Sequence, residues 1–109
     1  MDWNHPMDDT MTASVAKALA HPARLRILRL LAAQTECRGA DVFSQLPLAQ
    51  STISEHLRVL KEANLVSSRP QASGNGMVYC LSPGVFEDFI SAITDIASAA
   101  ALCNSDGRC

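Results

Sequence analysis

Four cysteines carry the most reactive chemistry in this 109-residue chain: Cys37, Cys80, Cys103 and Cys109. The last two belong to the closing segment "ALCNSDGRC", with five residues between them. Paired thiolates suit soft ions, and they also form disulfides. Two sulfurs on one ion must lie within about 4.6 Å, taking ~2.3 Å for each bond to the ion. On a continuous helix a six-residue step leaves side chains about 120° apart and about 9 Å along the axis, which is too far. Asn104, Ser105, Asp106 and Gly107 are poor helix residues, so the expected chain leaves its helix after Cys103 and folds back, bringing Cys109 to the same ion. With no His or carboxylate cluster nearby, that site favours As(III), Sb(III) or a methylated As(III) over zinc. Cys37, near a helix end, and Cys80, in an apolar strand, read as packing residues rather than ligands.

The second stretch able to do chemistry is "LAQSTISEHLRVLKEANLV". Ile53, Leu57 and Leu60 recur at helical spacing and mark an inward stripe, with Ser51 as the expected cap and Asn64 as the expected stop. The opposite face carries Ser51, Ser54, Glu55, Arg58 and Glu62. Short hydroxyl side chains in a first turn, with Gln50 and Thr52 beside them, let a helix approach base edges closely and offer donors and acceptors there.

The flanking elements must position that helix. Residues 1–10 read as a loose arm, with Trp3 available to pack it down, and a short helix follows from about Met11 to Ala20, capped by Thr10. Pro22 suits the first turn of a second helix through "ARLRILRLLAAQ". A third, short helix is expected around "GADVFSQL", ended by Pro47. After the polar-faced helix, Ser73, Gly74, Asn75 and Gly76 mark a tight turn between two extended runs. A closing helix, about Val85 to Leu102, aligns Phe86, Phe89, Ile90, Ile93, Ile96, Ala97 and Ala100, more apolar surface than one small domain covers. Pairing with the first helix and with a second copy of the chain would bury it.

Composition sets the outer bounds. The chain is 48% hydrophobic, with room for one domain whose core is small for a free monomer. Its first residues contain three acids and no Lys or Arg, unlike a signal peptide, and no apolar run reaches the roughly 18 residues of a membrane span. The expected setting is cytoplasmic, away from membranes. The net charge of −2 hides a basic middle, with Lys17, Arg24, Arg26 and Arg29 in one stretch and Arg58, Lys61 and Arg69 in another. Such a distribution can hold a polyanion. There is no nucleophile with a base at recognisable spacing, no phosphate loop and no cofactor motif, so we do not expect an enzyme.

"LAHPARLRILRLL", then "QSTISEHLRVLKEANLV", then a Gly-containing wing ending "VYCLSP", resemble the ArsR/SmtB family of ligand-responsive bacterial repressors, in matching order over roughly residues 13–102. The resemblance implies a mainly α fold with a β-hairpin wing, a winged helix-turn-helix. It implies a homodimer over residues 11–102 and a cysteine tail over 103–109. It also implies double-stranded operator DNA as partner, with Gln50, Ser51, Thr52, Ser54 and Glu55 facing the DNA and Arg58 or Lys61 able to reach phosphate. Glu55 stands where a small or basic residue is expected.

Family sensing sites differ among members. A Cys-x-Cys before an Asp is missing here, because Arg38, Gly39 and Ala40 precede Asp41 and Cys37 lies one position too early. A closing-helix zinc site is missing too, because no His follows His56. An arrangement like Cys-Cys-x5-Cys, associated with trivalent arsenic, is matched by Cys103 and Cys109, with Leu102 at the third position. The expected inducer is therefore As(III), Sb(III) or methylated As(III), with no cofactor required for DNA binding. Two other readings stay open. One is a thiol redox or persulfide sensor that oxidises Cys103 with Cys109, or either with Cys37. The other is a metalloid-buffering protein whose winged domain binds other proteins.

Overall fold

The computed structural model describes residues 7–34, 36–72, 74 and 76–106. Trp3 and residues 1–6 of the expected arm, the turn residues Ser73 and Asn75, and Cys109 lie outside the described residues. Helix α1 spans Asp9–Leu19 and α2 spans Pro22–Ala32. Strand β1 is the short Arg38–Gly39, followed by a 3-10 segment, Ala40–Gln45. Helix α3 is Gln50–Glu62, strands β2 and β3 are Val66–Pro70 and Met77–Leu81, and α4 is Pro83–Asp106.

Local chemistry explains the boundaries, and several differ from expectation. The cap of α1 is Asp8 rather than Thr10: its carboxylate accepts from the Met11 amide at 2.8 Å, and a negative group suits the positive end of the helix better than a hydroxyl. Met7, within the expected arm, is 4% exposed and joins the core. His21 caps α2, its Nδ1 accepting from the Ala23 amide at 3.1 Å, with Pro22 in the first turn. The third helix is a tight 3-10 segment entered from a strand.

Helix α3 starts at Gln50, so Ser51 is not its cap. Ala49 is the cap, its carbonyl accepting from the Thr52 and Ile53 amides at 3.0 Å each, which leaves the Ser51 side chain in the exposed first turn. At the other end Asn64 adopts a left-handed φ of 63°. The Leu65 amide then donates to the Leu60 carbonyl at 3.0 Å, and the Asn64 amide to that of Lys61 at 3.0 Å. Leu60 and Leu65 are both fully buried, so this turn both stops α3 and plugs it into the core.

The sheet has the order β1-β3-β2 and is antiparallel throughout. Arg38 faces Tyr79 and Gly39 faces Val78, while Val66 faces Leu81 at the far side. Phe43 of the 3-10 segment stands edge-on to Tyr79 of β3, ring centres 5.6 Å apart, fixing the wing to the turn before α3. The core joins Val15, Ala18, Ile27, Leu28, Leu31, Val42 and Phe43 to Ile53, Leu57, Leu60, Leu65 and Val66.

Helix α4 contributes little to that core. Val85, Phe86 and Phe89 pack against it, while Ile90 and Ile96 stay 62% and 65% exposed. The radius of gyration is 16.9 Å, against about 13 Å for a compact chain of this length. The helix was expected to end near Leu102; it runs on to Asp106. Asn104, Ser105 and Asp106 are therefore helical, and the exit from the helix expected directly after Cys103 is not found.

Two cysteines read as packing residues are bonded to each other. Cys37 and Cys80 form a disulfide with Cα atoms 4.7 Å apart. The register makes them the next opposed pair after Arg38 and Tyr79, in the closer kind of cross-strand pair.

Candidate nucleic-acid interface

Helix α3 presents its polar residues outward. Gln50, Ser51, Thr52, Ser54, Glu55, Arg58 and Lys61 are all exposed, while Ile53, His56, Leu57 and Leu60 are buried beneath them. At about 100° per residue, Ser51, Ser54, Glu55, Arg58 and Lys61 lie on one face and Gln50 and Thr52 on its flanks. A groove of about 400 Å³ runs between this face and the wing, lined by Ser54, Leu57, Arg58, Lys61, Glu62 and Tyr79.

The charges on the face are arranged less simply than their spacing implies. Arg58 was expected to reach toward phosphate. Its guanidinium is instead tied to carboxylates on both sides: Nε donates to Glu55 at 3.0 Å, a second nitrogen also meets Glu55, and Nη1 donates to Glu62 at 2.6 Å. That hydrogen bonding and charge hold the Glu55 carboxyl below its usual range. Two carboxylates around one guanidinium leave the middle of the face net negative, so the hydroxyls of Ser51 and Ser54 are the groups best suited to approach a duplex there. Lys61, one turn below, supplies the positive charge.

The scaffold beneath is a network that spacing alone did not reveal. Arg24 of α2 donates from Nε to Nδ1 of His56 at 3.3 Å and from Nη1 to the carbonyls of Lys17 and Ala18 at 3.3 and 3.2 Å. One guanidinium thus closes the C-terminus of α1 and reaches α3. Arg24 is therefore spent internally and does not belong with the outward charges of the basic stretch. The rings of His21 and His56 meet edge-on at 4.5 Å. Burial, with the His21 and Arg24 charges, pushes His56 below the ordinary histidine range, and Glu55 opposes this more weakly. A signal for the network was present in the sequence, since the His21-Pro22 cap places Arg24 in the first turn of α2, beside the end of α1.

Among the described residues no group of three His, Cys, Asp or Glu side chains stands together as a metal site. Cys103 is half-buried on α4. Cys37 is bonded to Cys80, so the expected oxidation of Cys103 or Cys109 with Cys37 is not the pairing found.

Residues 21–68, from the α2 cap through α3 and into β2, match the family model described as bacterial regulatory protein, arsR family. An uncharacterized HTH-type transcriptional regulator of Mycobacterium tuberculosis is 39% identical over 72 residues, 66% of this chain and 61% of that protein. The match thus spans under two thirds of that relative's length. Its crystal structure aligns over 88% of this chain and 93% of that one, with a TM-score of 0.59. An arsenical resistance operon repressor of Staphylococcus xylosus is 33% identical over 84 residues, 77% of each chain. The solution structure of a homodimeric winged helix-turn-helix domain from Mycobacterium bovis, 27% identical, covers 91% of this chain and 94% of that one with a TM-score of 0.62. On its order of elements, its outward-facing α3 and these likenesses, the chain belongs to the ArsR family of bacterial regulatory proteins.

Proposed function

We propose that the chain is a cytoplasmic, metalloid-responsive transcriptional repressor. It binds near-palindromic operator DNA as a homodimer, and trivalent arsenic or antimony, or a methylated arsenical, bound at Cys103 and Cys109 releases it from that DNA. The exposed face from Gln50 to Lys61, flanked by the wing, carries the DNA-binding part of this reading. The α3 helix of each protomer enters a major groove, hydroxyls of the first turn toward base edges, with half-sites about 34 Å apart. The wing lies along the backbone.

Dimerisation is supported by the apolar stripe of α4, whose Ile90, Ile93 and Ile96 are exposed in the single chain, and by the homodimeric domain from Mycobacterium bovis. The inducer is supported by thiol chemistry and by the relative named as an arsenical resistance operon repressor. With α4 helical through Asp106, Cys103 lies about 4.5 Å back along the axis. Three further residues extend up to about 10 Å, enough for a reversal at Gly107 to carry Cys109 to it. A third ligand comes from the partner subunit or from solvent.

An ion there reorders the end of the dimer-forming helix and moves the two reading helices relative to their half-sites. A coupling of a few kcal/mol suffices. The test is a gel-shift assay on the DNA upstream of its own gene, titrated with arsenite, antimonite, zinc and peroxide. Cys103→Ser and Cys109→Ser should each keep DNA binding and abolish release by arsenite. Release that survives both substitutions contradicts this inducer site.

A further inference from the structure

We infer that Cys37 and Cys80 form a thiol–disulfide exchange site, operated by a low-molecular-weight thiol and its disulfide, that sets how firmly the wing is held to the segment leading into α3. The inference rests on the DNA-binding reading above for its consequence, but not for its chemistry.

Three observations carry it. The two cysteines face each other across β1 and β3, and β1 is only two residues long, so the bond supplies much of what joins those strands. Both are only half-buried, and an open cleft of about 620 Å³ reaches Cys37 between Arg38, Asp41, Gln71 and Met77. A small thiol can enter. Finally, Nη1 of Arg69 lies 4.0 Å from the Cys80 sulfur, where its charge stabilises a thiolate. A DNA-bound regulator works where glutathione-like thiols keep accessible disulfides reduced, so a bond placed this openly reports on that balance.

The chemistry balances without a further co-reactant. The thiolate of the small thiol attacks the Cys37 sulfur, the Cys37–Cys80 bond breaks, and its electron pair leaves on Cys80, the better leaving group beside Arg69. A second small thiol attacks the mixed disulfide, releasing Cys37 and the small-molecule disulfide. Two electrons and two protons pass to the protein, and the reverse sequence reoxidises it.

Oxidised, the bond pins β3 to β1 and so to the 3-10 segment and α3. Reduced, β3 keeps only the two-residue ladder to β1 and the Phe43–Tyr79 contact to the 3-10 segment, while Val66 and Leu81 still hold the hairpin to the core. The fraction of molecules with the wing in place falls, and apparent DNA affinity falls with it.

The test uses the full chain carrying Cys103→Ser and Cys109→Ser, equilibrated in glutathione and glutathione disulfide mixtures. Alkylation and mass spectrometry give the oxidised fraction, fluorescence anisotropy gives duplex affinity, and hydrogen exchange reports on residues 38–45. The oxidised fraction should track the buffer, exchange should quicken on reduction, and affinity should drop about tenfold. Cys80→Ser should behave as reduced in every mixture, and Arg69→Gln should slow reduction. An oxidised fraction constant across the series, or equal exchange in both forms, overturns the site. Equal affinity with intact binding overturns its regulatory role, whereas no binding in either form overturns the repressor reading and leaves the exchange measurement to decide the site.

Discussion

Nε of Arg24 donates to Nδ1 of His56 across 3.3 Å, while the same guanidinium closes the carbonyl end of α1. Helix α3 is therefore oriented by a hydrogen bond from α2 as well as by its apolar stripe. Arg24→Ala removes both roles together. Because the side chain is half-buried, it should lower stability by about 1–2 kcal/mol, read as a lower urea midpoint with unchanged slope. An unchanged midpoint would mean that the apolar stripe alone orients α3.

The same pair gives a pH dependence. His56 has its folded pKa below that of an unfolded histidine, mainly through burial. The unfolded chain then binds more protons, so stability rises with pH in that window. This contribution is complete above the ordinary histidine value and drains away as pH falls through the lowered folded one. His56→Gln should flatten urea midpoints measured between pH 7 and pH 5. Equal slopes in both proteins would assign the dependence to other groups. Glu55, lowered by Arg58, acts in a separate, more acid window, where its contribution is lost as its carboxylate protonates.

Much of the fold is legible in the sequence because it is written in apolar periodicity. Ile53, Leu57 and Leu60 announce both the inward side of α3 and, by subtraction, its outward face, and Asn64 announces the stop. Charges at helical spacing announce only proximity. That Arg58 would bind Glu55 and Glu62 rather than extend outward depends on rotamers, and that Arg24 would turn inward depends on where α1 ends. The Cys37–Cys80 bond is the least legible feature. It follows from strand register, and β1, with two residues, is too short to show alternation. The small boundary shifts have different causes: Asp8 displaces Thr10 because its carboxylate is the stronger cap, whereas Ala49 begins α3 through its carbonyl alone, with no side-chain bond.

On the proposed reading, the carboxylates on the outward face of α3 should oppose DNA binding measurably. Glu55→Gln removes a negative charge and loosens Arg58, so duplex affinity should rise several-fold with a steeper dependence on salt. Lys61→Ala should weaken binding to all sequences alike and lower the slope of log K against log salt by about one. Slopes identical in the two variants would place the phosphate contacts elsewhere.

Helix α4 should tell whether its apolar stripe is an interface between protomers. Ile96 touches little within the single chain and is 65% exposed, so Ile96→Asp should leave helical circular dichroism intact. Sedimentation should shift from dimer toward monomer, and operator affinity should fall with it. A dimer that survives the change would put the interface on another surface.

The most direct measurement is selection of duplexes from a random pool by the full-length protein, repeated with Ser51→Ala and Ser54→Ala. The account predicts a near-palindrome with half-sites one helical turn apart, and a loss of discrimination at specific base positions in each variant. Enrichment of no sequence, or an identical selected site for all three proteins, would contradict the assignment of α3 as the reading element.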